Sequence, residues 1–391
     1  MRHLLLTLKW ALLTIILAPI ALYLILLLIN IRDAAPSEQS LRYLAQIAQI
    51  DSSLAKSHND NAYIFALGFD SAKDKSPIAV GLQSLHNLQN EDVSNVDKTQ
   101  QYALPNLPLE NCLAEDNFVD ACSANLRKNT HLTTLLSNNR WRINRYQQLL
   151  KMSSWHDSPS FTADISAMPF KELLLAQKLY LLDAYQNIDS TSAQFIADAI
   201  EQDMLFWQRL SLNTHILINK MVSASAISIN MKLGEVILGQ QRVEQTSQVL
   251  PISWTKPLTA NVLSLDKAKL GEWRYFTKLT NTTLVDDSAI DTMTKVVTSL
   301  LHPFMHDQDT ANRYAAILTN SGIQTDCDTG LSIDGITRYI YNPLGKYILC
   351  TGMPSFNAHQ MTLDKLEQQR AALITRLKVE QISKTNKIPP S

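Results

Sequence analysis

Two histidines and two aspartates form the densest group of potential metal ligands in this chain. The segment HPFMHD covers residues 302–307, and Asp309 follows it. Histidines four residues apart on a helix can share a metal ion, as in the H-E-x-x-H motif, but Pro303 stands where that motif has glutamate. Proline keeps its predecessor out of the α region. The sequence therefore predicts no metal or cofactor. We expect His302 and His306 to be structural and Asp307 or Asp309 to cap the next helix.

Two further acidic motifs resemble catalytic or calcium-binding sequences. Residues 326–330 contain Asp-Thr-Gly, the aspartic protease triplet, but without the apolar strands that frame it in those enzymes. Asp286, Asp287 and Asp291 lack the spacing and the glycine of a calcium loop. We interpret the first motif as a turn and the second as a helix start with favourable charge. The sequence predicts no catalytic residue. It leaves enzymatic activity undecided and favours a non-catalytic role.

The longest apolar run begins at Trp10 and ends at Ile29, and its twenty residues are enough to cross about 30 Å of hydrocarbon. It predicts a transmembrane anchor over residues 10–31 that contacts the lipid bilayer. A cleavable signal peptide is the alternative, but it would have a shorter apolar core and a small-x-small cleavage site. Arg2 and Lys9 precede the run and only Arg32 follows it, which predicts a cytoplasmic amino terminus.

The chain is expected to be a single-pass protein of the cell inner membrane, with most of its residues in the periplasm. Nothing in the sequence has the features of a eukaryotic sorting signal. This layout resembles that of single-pass inner-membrane proteins of Gram-negative bacteria, a likeness of architecture that assigns no role to any residue.

Four cysteines fall into two local pairs, Cys112 with Cys122 and Cys327 with Cys350. Four cysteines allow three pairings, and neighbours in sequence are the natural partners in an oxidising compartment. Spacings of ten and twenty-three residues differ from the close spacing of metal-binding cysteines. The sequence therefore predicts two structural disulfide bonds.

After the anchor, apolar residues recur mainly with helical spacing. The sequence predicts an all-α protein with an irregular, hairpin-stacked arrangement and little or no β-structure. Helices are expected at about 77–90, 126–152, 169–186, 192–212 and 215–239, and residues 61–70 are expected to be a short strand or an extended segment. The predicted organisation is a cytoplasmic amino terminus (1–9), a first helical part (36–240), an irregular segment with Pro and Trp (241–280), a second helical part (281–380) and a disordered tail (381–391).

A formal net charge of −1, from 35 basic and 36 acidic residues, argues against a nucleic-acid-binding surface. The favoured function is an interaction protein, that is, a scaffold, adaptor or chaperone with a protein partner in an envelope or secretion assembly. The alternative is a membrane-tethered periplasmic hydrolase or ligand-binding protein with an acidic or histidine-containing groove. Two compact polar-aromatic motifs supply the candidate interaction residues, which are Tyr63, Phe65, Phe69, Tyr341, Asn342 and Lys346.

Overall fold

A computed structural model describes residues 2–55, 60–89, 102–109, 111–161, 168–240, 249–283, 292–319 and 333–385. Within these ranges the chain is helical almost throughout, and the only β-structure is an isolated bridge between Asn61 and Ser154. The predicted all-α class is confirmed. The two acidic motifs at 286–291 and 326–330 and the end of the tail lie outside the described residues. The second predicted disulfide also lies outside them, because Cys327 is not among the described residues.

The described residues form the following α-helices, in chain order. They are α1 (Arg2–Ile29), α2 (Glu38–Leu54), α3 (Ala62–Leu67), α4 (Pro77–Gln89), α5 (Phe118–Lys128), α6 (Leu132–Asn138), α7 (Arg140–Leu150), α8 (Phe170–Gln186), α9 (Ala193–Asn213), α10 (Leu217–Gly239), α11 (Ile252–Thr255), α12 (Ala260–Leu263), α13 (Asp266–Thr283), α14 (Thr292–Leu301), α15 (Asp307–Leu318), α16 (Ile333–Arg338), α17 (Pro343–Gly352) and α18 (Phe356–Thr385). Short 3-10 turns lie at Cys112–Ala114, Pro159–Phe161 and His302–Phe304.

The chain divides into two compact units, each built from two separate stretches of sequence. Unit 1 contains Met1–Ala48 and Trp273–Pro354, and unit 2 contains Gln49–Glu272 and Ser355–Ser391. Each unit thus joins an early part of the chain to a late part.

Two helices of the described residues are long and apolar enough to cross a membrane. In α1 the segment Leu6–Ile29 has 24 residues and none of its apolar window is buried. In α10, by contrast, 67% of the window is buried, and the helix packs against α8, α9 and α18. Of these two helices, α1 is therefore the exposed one, near the amino terminus, and α10 is a core helix of unit 2.

The centre of unit 2 is the series α8, α9 and α10, which are the helices predicted over 169–186, 192–212 and 215–239. The hydroxyl of Ser192 accepts a hydrogen bond from the Phe195 N–H at 3.2 Å and caps α9. Such a cap satisfies one of the free N–H groups at a helix start. Trp207 and Trp254 are fully buried in this unit.

The prediction of a strand or extended segment at residues 61–70 was wrong, because this stretch forms α3. The Asn61 side chain accepts a hydrogen bond from the Tyr63 N–H at 3.1 Å and starts the helix. Every residue of α3 is buried, so its sequence lacks the polar face that reveals most helices. Helix α4 crosses it closely at Gly81, where a Cβ atom would lie 1.8 Å from the Ile64 carbonyl oxygen.

The single helix predicted over residues 126–152 is instead three helices, α5, α6 and α7. Two asparagines mark the breaks. The Asn129 side chain accepts a hydrogen bond from the His131 N–H at 2.9 Å, and the Asn139 amide donates to the Leu135 carbonyl at 2.8 Å. Asparagine competes in this way with the helical backbone bonds.

The first predicted disulfide is present, because Cys112 and Cys122 are covalently paired and both are fully buried. The bond closes a loop of ten residues between the start of the turn at 112 and α5. By restricting the unfolded chain, a loop of this size contributes about 2.7 kcal/mol. The disulfide therefore stabilises this segment of unit 2, which follows a proline-containing stretch.

Candidate functional site

The candidate site lies in unit 1, where α1 ends, and we call Asn30, Asp33, His306, Asp309 and Asn342 the Asn30 cluster. The Asn30 side chain is 5% exposed. Its amide donates to the carbonyls of Leu26 at 2.9 Å and Ile340 at 2.8 Å. Its oxygen accepts from the Asn342 N–H at 2.8 Å and lies 3.1 Å from Nε2 of His306. One buried amide therefore ties the end of α1 to two segments about 280 to 310 residues later.

The backbone conformation of Asn342 allows its N–H to reach Asn30. Its φ and ψ are 50° and 51°, the left-handed region that asparagine tolerates better than most residues. Its side-chain oxygen accepts from the N–H groups of Gly345 at 3.1 Å and His306 at 3.0 Å. Its amide donates to Asp309 at 2.8 Å and to the Thr310 hydroxyl at 2.9 Å. Asn342 thus caps α17 and joins it to the start of α15.

Asp33 caps α15 from the other end of the sequence. Its two carboxylate oxygens accept from the N–H groups of Gln308 at 2.8 Å and Asp309 at 3.0 Å. The prediction that Asp307 or Asp309 would be the cap was therefore wrong. Asp309 instead accepts from Asn342 and pairs with Arg313 at 2.7 Å. Burial, followed by the nearby Asp33 carboxylate, raises the pKa of Asp307.

The last two turns of α1 present one face to this part of unit 1. Tyr23, Leu26, Leu27 and Asn30 are less exposed than their neighbours and recur at the i, i+3, i+4, i+7 spacing of a helix face. The Tyr23 hydroxyl donates to the Leu300 carbonyl at 3.1 Å, and its ring meets that of Phe304 edge to face, with centroids 5.5 Å apart. Contacts with the rest of unit 1 are therefore made within the apolar helix, at Tyr23, as well as just after it, at Asn30.

The two histidines of the 302–307 segment have different environments. His302 is exposed at the start of the 3-10 turn, whereas His306 is buried and stacks on the Tyr341 ring with centroids 4.7 Å apart. Tyr341 also donates a hydrogen bond to the Arg32 carbonyl at 3.1 Å. Among the described residues no three His, Cys, Asp or Glu side chains are placed to hold a metal ion together. The cluster is suited to fixing the position of α1.

No family model, curated protein or solved structure matches this chain. Its function is therefore proposed from the geometry of the described residues.

A groove of about 480 Å³ lies beside the Asn30 cluster, between α2 and α15. Its walls include Arg42, Asn312, Arg313 and Thr319. Both arginines are engaged, since Arg42 pairs with Glu38 and Arg313 with Asp309. The groove is thus open, and the charges in its walls are balanced.

Among the buried carboxylates of unit 2, two lie at the centre of hydrogen-bond networks, and the first is Asp203. It accepts hydrogen bonds from the Tyr146 hydroxyl and from the side-chain amides of Gln177 and Asn230, both at 2.8 Å. Burial raises the pKa of Asp203 to about 6 despite these donors. Trp254 donates in turn to the oxygen of Asn230 at 2.9 Å, so the carboxylate helps to position a buried tryptophan.

The second buried carboxylate is Asp157. It accepts from the Trp155 indole at 3.0 Å, the His215 N–H at 2.8 Å, the Asn219 amide at 3.1 Å and the Thr214 hydroxyl. The His215 ring lies 3.2 Å away and is partly buried. Burial alone would raise the pKa of Asp157, but the His215 ring and these donors outweigh it and hold the pKa below its usual range.

The structure separates the residues that the sequence grouped as interaction candidates. Tyr63, Phe65 and Phe69 are at most 3% exposed and pack in the core of unit 2. The three others lie at the Asn30 cluster in unit 1, namely Tyr341, Asn342 and Lys346. The Lys346 ammonium donates to the Tyr341 carbonyl at 2.6 Å and to the Arg338 carbonyl. Burial, followed by the charge of Arg313, lowers the pKa of Lys346.

Asn30 and Asp33 were not predicted as site residues, although both stand at the polar end of the apolar run. An asparagine directly after a long apolar stretch is the one local signal that could have singled out the site.

Proposed function

We propose that this chain is a membrane-anchored interaction protein whose units lie in the periplasm and hold a partner of the cell envelope close to the inner membrane. The observation that supports this most is the burial of Asn30 and its hydrogen bonds to Ile340, His306 and Asn342. A signal peptide leaves the protein after export, so the fold does not depend on it. Here residues just past the apolar helix complete a cap and a buried polar cluster, which supports an anchor that is retained.

The topology follows from charge and length. Arg2 and Lys9 flank the amino-terminal side of the apolar segment, and Arg32 on the other side is adjacent to Asp33. Positive flanks stay in the cytoplasm. The 24 residues of Leu6–Ile29 extend over about 36 Å as an α-helix, enough for a bilayer core of about 30 Å. The buried Cys112–Cys122 disulfide is in keeping with an oxidising compartment.

The groove between α2 and α15 is the surface that we assign to the partner. It is open to solvent and has two ion pairs in its walls, and the rim of a protein interface is likewise polar and solvent-accessible. A hydrolase would need a carboxylate free to exchange a proton with a substrate. Asp309 is instead shared between Arg313 and Asn342. This contact set favours binding over catalysis.

The anchor is tested with reporter fusions and the intact chain. Alkaline phosphatase fused after Asp33 should be active, whereas the same enzyme fused after Lys9 should be inactive, because only the first fusion includes the apolar helix. The full chain should remain in the membrane fraction with residues 1–35 intact by mass spectrometry. A soluble form that lacks these residues would show that α1 is a signal peptide.

The partner surface is tested by photo-crosslinking in living cells. A photoreactive amino acid at Thr319, which is exposed at the groove, should give one dominant adduct with an envelope protein identified by mass spectrometry. The matched control is Thr375, an exposed threonine on α18 of unit 2. Equal adduct patterns at the two positions would contradict the assignment of this groove.

A further inference from the structure

Helix α14 of unit 1 exposes an apolar face. Met293, Val297, Leu300 and Leu301 are 75%, 45%, 51% and 46% exposed. Their spacing of i, i+4, i+7 and i+8 places them on one side of the helix, and Ser299 is exposed on the opposite side. Contact with water is costly for such a face, at about 25 cal/mol for each Å² of apolar surface.

The carboxyl end of α14 lies against the apolar helix α1. The Leu300 carbonyl accepts the hydrogen bond of Tyr23, and Phe304 packs on the ring of Tyr23. Tyr23 precedes the end of α1 at Ile29 by six residues, or about 9 Å along the axis. Around Tyr23 the surface of α1 is itself apolar and open, with Leu22 57% and Leu24 52% exposed. The apolar face of α14 is therefore next to the surface that the anchor presents to lipid.

The position of Tyr23 along α1 also gives its depth in the membrane. If a hydrocarbon layer of about 30 Å is centred on the apolar helix, roughly 3 Å of helix extends past each boundary. Tyr23 then lies about 6 Å inside the outer boundary. Amphipathic helices that lie in the membrane plane bury their apolar face by about 5–10 Å. Leu300, which contacts Tyr23, falls within this range.

We propose that α14 is an interfacial membrane helix, with its apolar face inserted among the acyl chains of the outer leaflet of the inner membrane, beside α1. The occupant of the face is lipid, because the face adjoins the anchor at membrane depth. The sequence of α14 suits that position, since it has threonine, serine and one lysine but no acidic residue. This inference rests on the proposed anchoring of α1. Unit 1 would then contact the membrane at a second place, which sets its orientation on the bilayer.

The test places a nitroxide spin label at Val297 in the full chain, reconstituted into vesicles of phosphatidylethanolamine and phosphatidylglycerol. A ketone-bearing unnatural amino acid carries the label, so the native cysteines are left unchanged. Collisions with oxygen, which partitions into hydrocarbon, are compared with collisions with a nickel chelate, which stays in water. The matched control is Ser299 on the opposite face, and a label at Leu17, which is 52% exposed in α1, reports on the anchor.

We expect oxygen to collide several-fold more often than the chelate at Val297 and Leu17, with the opposite preference at Ser299. Because all three positions are exposed, the labels should not disturb folding, and retention in the membrane fraction checks this. Preference for the chelate at Val297 together with immersion at Leu17 would overturn the interfacial helix alone. Preference for the chelate at Leu17 would overturn the anchor. Shielding of Val297 from both reagents would mean that protein, from a second copy or a partner, covers the face, and would also overturn the proposal.

Discussion

Replacing Asp157 by alanine is expected to lower the free energy of unfolding of unit 2 by about 4 kcal/mol, the range found when a buried, hydrogen-bonded charge is removed. The substitution would leave the Trp155 indole, the Asn219 amide and the Thr214 hydroxyl without their buried acceptor. Urea denaturation followed by tryptophan fluorescence would measure it, because Trp155, Trp207 and Trp254 are all buried in unit 2.

Two controls separate the buried network from a general effect of losing an aspartate. Asp157→Asn keeps the shape and one acceptor oxygen, so its loss should be clearly smaller than that of Asp157→Ala. Asp198 is exposed on α9 and is contacted by Gln194. Asp198→Ala should cost less than about 0.5 kcal/mol, as for ordinary surface changes. Equal losses at positions 157 and 198 would contradict a structural role for Asp157.

The pH dependence of this effect has a definite sign. The pKa of Asp157 is lower in the folded protein than the ordinary 3.8, so its stabilising contribution is present above that value and is lost as the pH falls through the folded pKa. The pKa of Asp203 is raised to about 6, so the folded state takes up a proton there first. Between pH 4 and 6 the stability of unit 2 therefore depends mainly on Asp203, whose protonation favours the folded state as the pH falls. The contribution of Asp157 is lost only below about 3.8.

Replacing Asn342 by alanine is expected to destabilise unit 1 by about 3 kcal/mol. Alanine in the left-handed conformation costs about 1–2 kcal/mol, and the lost cap of α17 costs about 1 kcal/mol. Asp309 and the Thr310 hydroxyl would also lose a buried partner. Hydrogen exchange of the amides in α15 and α17 measures the free energy of opening these helices, which should fall by this amount.

The matched control for this effect is Asn342→Gly. Glycine adopts the same backbone conformation without strain but makes none of the side-chain hydrogen bonds. Its loss should be smaller than that of alanine by about the strain energy of 1–2 kcal/mol. If the two variants open equally, the left-handed conformation of Asn342 does not contribute to the stability of unit 1.

The features that were predicted best from the sequence are those that neighbouring residues determine. Ser192 caps α9, and Pro77 begins α4, because each signal lies within one turn of the helix that it starts. Prediction of α3 failed where this local information is weakest, since a short helix buried on every side has no polar face to reveal its period. The same reason explains why Tyr63 and its aromatic neighbours were proposed as interaction residues although they lie in the core.

The candidate site could not be assembled from the sequence, because its partners are far apart along the chain. Asn30 and Asn342 are separated by 312 residues, and Asp33 caps a helix that begins 274 residues later, at Asp307. Local residues such as Asn342 and Pro343 indicate only a turn at this point in the chain. Its role as a cap joined to the end of α1 depends on the fold of unit 1, for which no local pattern exists.

The contacts of Asn30 and Asp33 have a consequence for how this chain can vary. A simple tether is modular, so any apolar helix can replace it without harm to the domain that follows. Here a foreign segment in place of residues 1–33, or a truncated chain that begins at residue 35, would leave the His306 ring, the Asn342 N–H and the first N–H groups of α15 without their acceptors. Residues 1–33 and the rest of unit 1 can therefore be exchanged only together.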